Sequence, residues 1–152
     1  MRDAAPRFRS ETFEVTSRDI AKFATAIGTK NPIHFNAAAA ARLGYSQIVA
    51  PPSFYIALGM ARGKLRQRSE LTEDGLPKDE PFAGMRMMAG ATEVQLLHPI
   101  LAGDVVKVSQ RLLHTEEREG RSGQIRLMTF ERRYVRQDRA TLAVERYVRL
   151  AR

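Results

Sequence analysis

The sequence predicts a single α+β domain in which short helices come first and an antiparallel sheet follows. Two observations support this class. Apolar residues recur at helical spacing up to about residue 66, and they alternate with a period of two from about residue 85 onward. Helices that are segregated from an antiparallel sheet are typical of α+β folds. The chain has 152 residues, the length of one domain, and we assign that domain to residues 1–152.

The first predicted helix follows Thr16 and ends near Gly28. Thr16 and Asp19 have the spacing of a capping box, in which each residue satisfies a free backbone N–H of the other. Apolar residues then follow at the i, i+3, i+4 and i+7 positions, namely Ile20, Phe23, Ala24 and Ile27. This segment is therefore predicted to be amphipathic, with these four residues facing the core.

A structured loop and a second short helix are predicted next. Pro32 disfavours the α region for Asn31, so residues 29–35 are expected to separate the helices. Asn36 can cap a helix that continues through the alanines to Leu43, where a glycine follows and ends it.

A third helix is predicted to begin at Pro51 and Pro52 and to extend to about residue 66. Proline is tolerated in the first helical turn, where a backbone N–H would lack an intrahelical partner. The segment is mostly apolar. A helix of this composition is expected to be buried.

Four long strands are predicted after this helix, and a further strand before the first helix. Residues 142–150 alternate apolar and polar side chains, as expected of a half-buried strand. The other predicted strands cover about residues 8–15, 85–98, 104–117 and 124–137. The segments between the later strands, residues 99–103, 118–123 and 138–139, have lengths that predict antiparallel connections. The charged run Glu131-Arg132-Arg133 is interpreted as solvated.

The chain is basic, with 25 Lys and Arg against 17 Asp and Glu and a formal net charge of +8. The basic residues are spread along the sequence, so we predict no nucleic-acid partner. A phosphate-bearing small ligand or an acidic carrier protein would satisfy the same electrostatics.

Several classes of function have no support in the sequence. Cysteine is absent, which excludes disulfides, thiolate metal sites and a cysteine nucleophile. The three histidines have no carboxylate at ligand spacing, so no metal is predicted. Glycine-rich nucleotide motifs are absent, and we predict no cofactor. Prolines interrupt the uncharged stretch 43–61, and the N-terminus lacks an apolar centre; we therefore predict no membrane segment, no secretory signal and a cytoplasmic location.

Two segments of the first half, N-P-I-H-F-N at residues 31–36 and I-V-A-P-P-S-F at residues 48–54, resemble the hydratase motif of the MaoC-like hydratase and dehydratase family. The second half is also similar to this family, through G-A-T-E-V at 90–94, H-P-I at 98–100 and A-G-D at 102–104. The resemblance covers about residues 10 to 150. The A-P-P form is more similar to the N-terminal dehydratase halves of double hot-dog proteins than to the catalytic halves, and such halves work in pairs.

The resemblance implies a hot-dog fold, in which an antiparallel sheet wraps around a long central helix, here residues 52–66. It also implies a lyase that hydrates trans-2-enoyl thioesters or dehydrates 3-hydroxyacyl thioesters, carried on coenzyme A or acyl carrier protein. A homodimer, or a heterodimer with another hot-dog chain, is expected because a single sheet leaves an edge and an apolar face to be covered.

The resemblance implies two catalytic residues, His34 and Thr29, of which Thr29 can do less of the chemistry. His34 matches the family histidine, and an imidazole can transfer a proton or orient a water near neutral pH. Catalytic members have an Asp five residues earlier, where this sequence has Thr29. A hydroxyl can orient a water but cannot act as the base that a carboxylate can be. The alternatives are that His34 only braces the loop and that Thr29 only fills space.

The implied substrate-binding residues are Asn31, Pro51 and Ser53. In the family, a glycine N–H at the entrance of the central helix binds the thioester oxygen, but here Ala50 and Pro51 stand at that point. Proline has no N–H, so Ser53 is the first candidate donor, through its N–H and its hydroxyl. A loop-fixing role for Asn31 and a helix-capping role for Ser53 are the alternatives.

Two further functions are alternatives for this sequence. A non-catalytic acyl-binding subunit, which needs a homologous partner carrying the Asp/His pair, is favoured by Thr29 and Pro51. A thioesterase on the same fold needs a carboxylate near the helix entrance, and residues 46–63 contain none.

Overall fold

The computed structural model describes residues 9–60, 67–70, 73, 86–120 and 123–152. In chain order the elements are β1 (Arg9–Glu14), α1 (Ser17–Ala26), α2 (Ala37–Arg42), α3 (Tyr55–Met60), β2 (Met87–Leu96), β3 (Val105–Gly120), β4 (Gly123–Arg136) and β5 (Thr141–Ala151). Short 3₁₀ turns cover Pro32–His34, Pro52–Phe54 and Arg68–Glu70. The predicted division into early helices and later strands is confirmed.

The five strands form one antiparallel sheet in the order β1-β3-β4-β5-β2. The strands on either side of residues 99–103 run in opposite directions, as predicted, but β4 and β5 lie between them in the sheet. Leu101, within this connection, instead forms an isolated bridge with Val49. The connection therefore links the sheet to the segment that leads into α3.

The capping signals of α1 and α2 are present as the sequence predicts. The Thr16 hydroxyl accepts a hydrogen bond from Asp19 N at 3.1 Å, and Thr16 N donates to Asp19 Oδ2 at 3.3 Å. Asn36 Oδ1 accepts from Ala39 N at 3.0 Å at the start of α2. The prediction that Ile27 faces the core was wrong. The helix α1 ends at Ala26, so Ile27 lies outside its apolar face and is 50% exposed.

The predicted central helix is present over the part that the structure describes, residues 52–60. The 3₁₀ turn Pro52–Phe54 leads directly into α3, and residues 61–66 of the prediction lie outside the described residues. Phe54 and Leu58 are buried in the main apolar cluster, against side chains of β3, β4 and β5. Tyr55 contacts Tyr134 of β4 edge to face, with 5.6 Å between ring centroids. We call the side of the sheet that faces α3 the inner face.

The inner face carries a polar network centred on Arg132. Its guanidinium donates to Glu145 Oε2 at 3.0 Å, to Gln110 Oε1 at 2.8 Å and to Tyr147 Oη at 3.1 Å. Tyr134 Oη donates to the same Glu145 oxygen at 3.0 Å. Burial raises the pKa of Tyr134 above its ordinary value of 10. The polar groups under α3 are thus paired, as burial requires.

The outer face carries a second network around Glu131, whose side chain is 1% exposed. It accepts hydrogen bonds from Arg111 at 2.7 Å, Arg133 at 3.0 Å and Arg146 at 3.3 Å. Burial by itself would raise the pKa of Glu131, but these three hydrogen bonds outweigh it and lower the pKa to about 2. The interpretation of this run as solvated charges was wrong for Glu131 and Arg132, because cross-strand partners enclose both side chains.

We predict that Gly59→Ala destabilises the fold, although alanine is the better helix former by about 1 kcal/mol. A Cβ at Gly59 would collide with Tyr134 Oη and the Arg132 guanidinium. We expect a net loss of about 1–3 kcal/mol in the free energy of unfolding, measured by urea denaturation. The loss should be smaller in a Tyr134→Phe background, which removes one colliding atom. An equal loss in both backgrounds would contradict this contact.

We predict that Glu131 stabilises the protein at neutral pH and not in strong acid. Its folded pKa of about 2 lies below its ordinary value of 4.5, so its contribution is complete above about pH 4.5 and is lost as the pH falls toward 2. The difference in unfolding free energy between wild type and Glu131→Gln should therefore shrink over that interval. Glu117→Gln, at the exposed pair with Arg126, is the matched control and should show little difference at any pH.

Candidate functional site

The loop that follows α1 is held by short-range hydrogen bonds of Thr29 and Asn31. Thr29 N donates to Ala24 O at 3.1 Å, which ties the loop to the end of α1. The Thr29 hydroxyl accepts from Asn31 N at 3.3 Å. Asn31 Oδ1 in turn accepts from Ile33 N at 3.2 Å and caps the 3₁₀ turn that contains His34. The loop-fixing alternative for Asn31 thus has direct geometric support.

His34 is 5% exposed, and its ring orientation is fixed by one short hydrogen bond. Nδ1 lies 2.6 Å from the carbonyl oxygen of Val49. A carbonyl oxygen can only accept, so Nδ1 carries the hydrogen and Nε2 of the neutral ring is an acceptor. Among the described residues, Nε2 has no protein partner. Every fully buried side-chain nitrogen or oxygen in these residues does have a partner, so Nε2 is not fully buried. Nε2 therefore retains contact with solvent.

Backbone hydrogen bonds place Val49 between the His34 turn and the sheet. Val49 N donates to Ile33 O at 3.1 Å, and the next residue, Ala50, donates to Ile100 O at 2.8 Å. Val49 also forms the bridge with Leu101 described above. The segment leading into α3 is therefore fixed on one side by the His34 turn and on the other by the β2–β3 connection.

Pro51 and Ser53 lie in the turn that begins the central helix. Pro51 is buried and occupies the N-cap position of Pro52–Phe54, without a side-chain capping bond, and its carbonyl accepts from Phe54 N at 2.8 Å. The helix-capping alternative for Ser53 is therefore wrong, because Ser53 lies inside the turn. Within the described ranges, neither the N–H nor the hydroxyl of Ser53 has a hydrogen-bond partner. Both donors remain available.

The structure joins some of the predicted site residues and not others. His34 is bonded to Val49, which precedes Pro51 by two residues and Ser53 by four. Thr29 is joined to the same loop only through Asn31, and among the described residues no hydrogen bond links Thr29 to His34. The carbonyl of Val49 is a partner of His34 that the sequence did not predict. Sequence carries no signal for it, because any residue supplies a carbonyl.

An open cleft of about 560 Å³ lies beside the start of α1 and contains none of the five predicted site residues. Its lining is mainly polar and includes Glu14, Thr16, Gln47 and Asp104. Asp104 uses its carboxylate to accept from Leu101 N at 2.8 Å, which stabilises the turn before β3. The cleft therefore lies beside the predicted site and not within it, since Leu101 of its lining bridges to Val49, the partner of His34.

Two properties of the described ranges bear on other kinds of site. They contain no group of three histidine, aspartate or glutamate side chains placed to hold a metal ion. No helix in them is both long and apolar enough to span a bilayer. His98 and His114 are exposed, away from the predicted site.

Comparison with solved structures confirms the predicted hot-dog fold. The R-hydratase PhaJ1 from Pseudomonas aeruginosa, in the unliganded form, aligns with a TM-score of 0.71 and 20% identity over 97% of this chain and 81% of that chain. A MaoC-like dehydratase from Rhodospirillum rubrum aligns with a TM-score of 0.69 and 16% identity over 97% and 92%. The C-terminally truncated HadBC (3R-hydroxyacyl-ACP dehydratase) complex from Mycobacterium tuberculosis aligns with a TM-score of 0.68 and 20% identity over 98% of each chain.

Sequence comparison identifies the family. A UPF0336 protein of Streptomyces avermitilis is 30% identical over 104 residues, which are 68% of this chain and 63% of that protein. The matched region thus spans less than two thirds of that relative's length. A family model described as FAS1-like, dehydratase domain region, matches residues 4–144. The chain belongs to this FAS1-like dehydratase family and has the hot-dog fold of MaoC-like dehydratases.

Proposed function

We propose that the chain is a hydratase or dehydratase subunit that acts on enoyl or 3-hydroxyacyl thioesters of coenzyme A or acyl carrier protein. The observation that carries the proposal is the geometry of His34, a buried imidazole with Nδ1 held by a carbonyl and Nε2 left as a solvent-accessible acceptor. Membership in a dehydratase family supports the reaction class.

In the hydration direction, His34 Nε2 accepts a proton from a water molecule as the water oxygen bonds to the β-carbon of the enoyl thioester. The electron pair of the double bond shifts toward the carbonyl, and negative charge develops on the thioester oxygen. The imidazolium then delivers a proton to the α-carbon, so the ring is regenerated and no cofactor is consumed. Dehydration follows the same steps in reverse.

Ser53 is the proposed donor to the thioester oxygen. Pro51 and Pro52 have no N–H, whereas Ser53 offers an N–H and a hydroxyl that are both unpaired within the described residues. Two donors in the first turn of a helix are suited to a developing negative charge. Pro51 and Asn31 contribute by fixing the backbone on either side of the substrate.

A second candidate is an acyl-binding subunit that supports a catalytic partner. The observation that favours it is Thr29, which stands where catalytic relatives have a carboxylate and whose hydroxyl already accepts from Asn31 N. His34 alone would then give a slow reaction, because removing one member of a cooperating pair costs orders of magnitude in rate. A homologous chain with an intact Asp-x-Asn-Pro-x-His segment would supply the missing base.

The exposed edge of β2 supports association with another hot-dog chain in either case. Glu93 is the single charged residue of β2, and Met88 and Leu96 are 48% and 50% exposed. The opposite edge strand, β1, carries Glu11 and Glu14, and charged edges resist pairing. We therefore propose that β2 pairs with the second chain; the HadBC structure is a complex.

We predict that the stability and the reactivity of His34 can be separated by substitution. His34→Ala leaves the buried Val49 carbonyl without its donor and should cost about 1–3 kcal/mol of unfolding free energy. His34→Asn places an amide N–H close to the Nδ1 position and should recover most of that loss. Urea denaturation of the three proteins checks this. Equal losses in both variants would contradict the role of the Nδ1 bond.

We predict that the protein hydrates crotonyl-CoA and that His34→Asn lowers kcat by about 100-fold or more. Loss of absorbance by the conjugated thioester measures the rate. His98→Asn, at an exposed histidine, is the matched control and should leave kcat unchanged. Thr29→Asp, which restores the carboxylate, should raise kcat. Equal rates for wild type and His34→Asn would remove His34 from the mechanism.

The same assay separates the two candidates. Activity that appears only after addition of a homologous chain with an intact Asp/His pair supports the acyl-binding subunit. Full activity of the isolated chain rules it out.

A further inference from the structure

The outer face of the sheet carries an unbalanced group of arginines, which we call the arginine cluster: Arg111 on β3, Arg133 on β4 and Arg146 on β5. All three bond to the single carboxylate of Glu131. Their side chains are 50%, 50% and 61% exposed, whereas Glu131 is 1% exposed. Three positive charges on one negative charge leave a local charge of +2.

The cluster presents hydrogen-bond donors that the protein does not use. Arg133 and Arg146 reach Glu131 only through Nε. Their terminal Nη groups have no partner in the part of the chain that the structure describes. A guanidinium held at Nε presents the rest of its planar fork in a fixed direction, which favours recognition of carboxylates or phosphates.

This imbalance distinguishes the cluster from other surface ion pairs of the described residues. The exposed pairs Arg118–Glu116, Arg126–Glu117 and Arg136–Asp138 each match one arginine with one carboxylate. Around the cluster, Lys107 adds a further positive charge on the same face, and Glu93 lies opposite Arg146 in the register with β2. The outer face therefore remains positive after its neighbours are counted.

The shape of this surface selects the kind of ligand. The cluster spans three neighbouring strands, so its outermost members are about 10 Å apart on a sheet surface. Small-molecule sites are concave and enclose their ligand, whereas a protein partner can cover an open face. Arginines spread over about 10 Å can each bind a different carboxylate on the surface of an acidic protein.

We infer that the arginine cluster is a docking surface for an acidic protein, and that this protein is the acyl carrier protein that bears the thioester. The identity of the partner rests on the proposed function. The charge and the shape of the surface are independent of that proposal. The net charge of +8 supports attraction of an acidic partner over longer range. Arg111 lies six residues along β3 from Val105, about 20 Å. The connection before Val105 bridges to Val49, the partner of His34, so the flexible arm of the carrier would pass that end of β3.

The test measures binding of a purified apo acyl carrier protein, which has no arm or acyl group, by isothermal titration calorimetry at low and high salt. Wild type should bind, and Arg133→Gln combined with Arg146→Gln should weaken the affinity at least tenfold. Arg133→Lys with Arg146→Lys should have an affinity between those two proteins, because the charge is kept and the planar fork is lost. Arg118→Gln is the matched control at a balanced pair and should bind like wild type. If the double glutamine variant unfolds, Arg146→Gln alone should still weaken binding measurably.

Absence of binding by wild type, or equal affinity in the double glutamine variant, would overturn the inference. Coenzyme A that displaces the carrier and loses affinity in the same variant would also overturn it, in favour of a small-phosphate site. Binding of the apo carrier involves no turnover, so its result does not depend on the crotonyl-CoA assay. The docking proposal and the proposed function can therefore fail separately.

Discussion

The hydrogen bond between His34 Nδ1 and the Val49 carbonyl is the contact on which the candidate site depends. It joins two segments that are 15 residues apart and have no other side-chain bond between them among the described residues. It orients the imidazole, assigns the hydrogen to Nδ1 and leaves Nε2 as the acceptor. It also connects His34 to the segment that leads into the turn of Ser53. A backbone bond from Val49 N to Ile33 O joins the same two segments, so the side-chain bond sets the orientation of the ring.

The sheet contributes differently through its two faces. On the inner face, Arg132 and Glu145 form a paired polar layer under α3, and Gly59 allows the helix to approach it closely. On the outer face, Glu131 holds together three arginines that would otherwise repel one another. Adjacent residues of one strand, Glu131 and Arg132, thus serve opposite sides of the molecule. The inner network positions the helix, while the outer one leaves charge for a partner.

Local features of the fold were predictable from the sequence because they depend on neighbouring residues. The capping box at Thr16 and Asp19, the cap at Asn36 and the strand periodicity all follow from short-range rules. The sheet order was not predictable, because alternation identifies a strand without identifying its neighbour. The exposure of Ile27 depended on where α1 ends, and the burial of Glu131 depended on arginines from two other strands. In the site, the motif indicated His34 as a candidate and the two prolines placed Ser53 in the first turn, but the Val49 carbonyl has no sequence signal.

The tautomer of His34 tests the central claim most directly. Nitrogen-15 NMR of the imidazole in the intact protein, with the ring in its neutral form, distinguishes a protonated Nδ1 from a protonated Nε2. The account predicts that Nδ1 carries the hydrogen and that Nε2 has the chemical shift of an unprotonated acceptor. A ring protonated at Nε2 would mean that Nδ1 does not donate to Val49 and that Nε2 is not the acceptor proposed for catalysis.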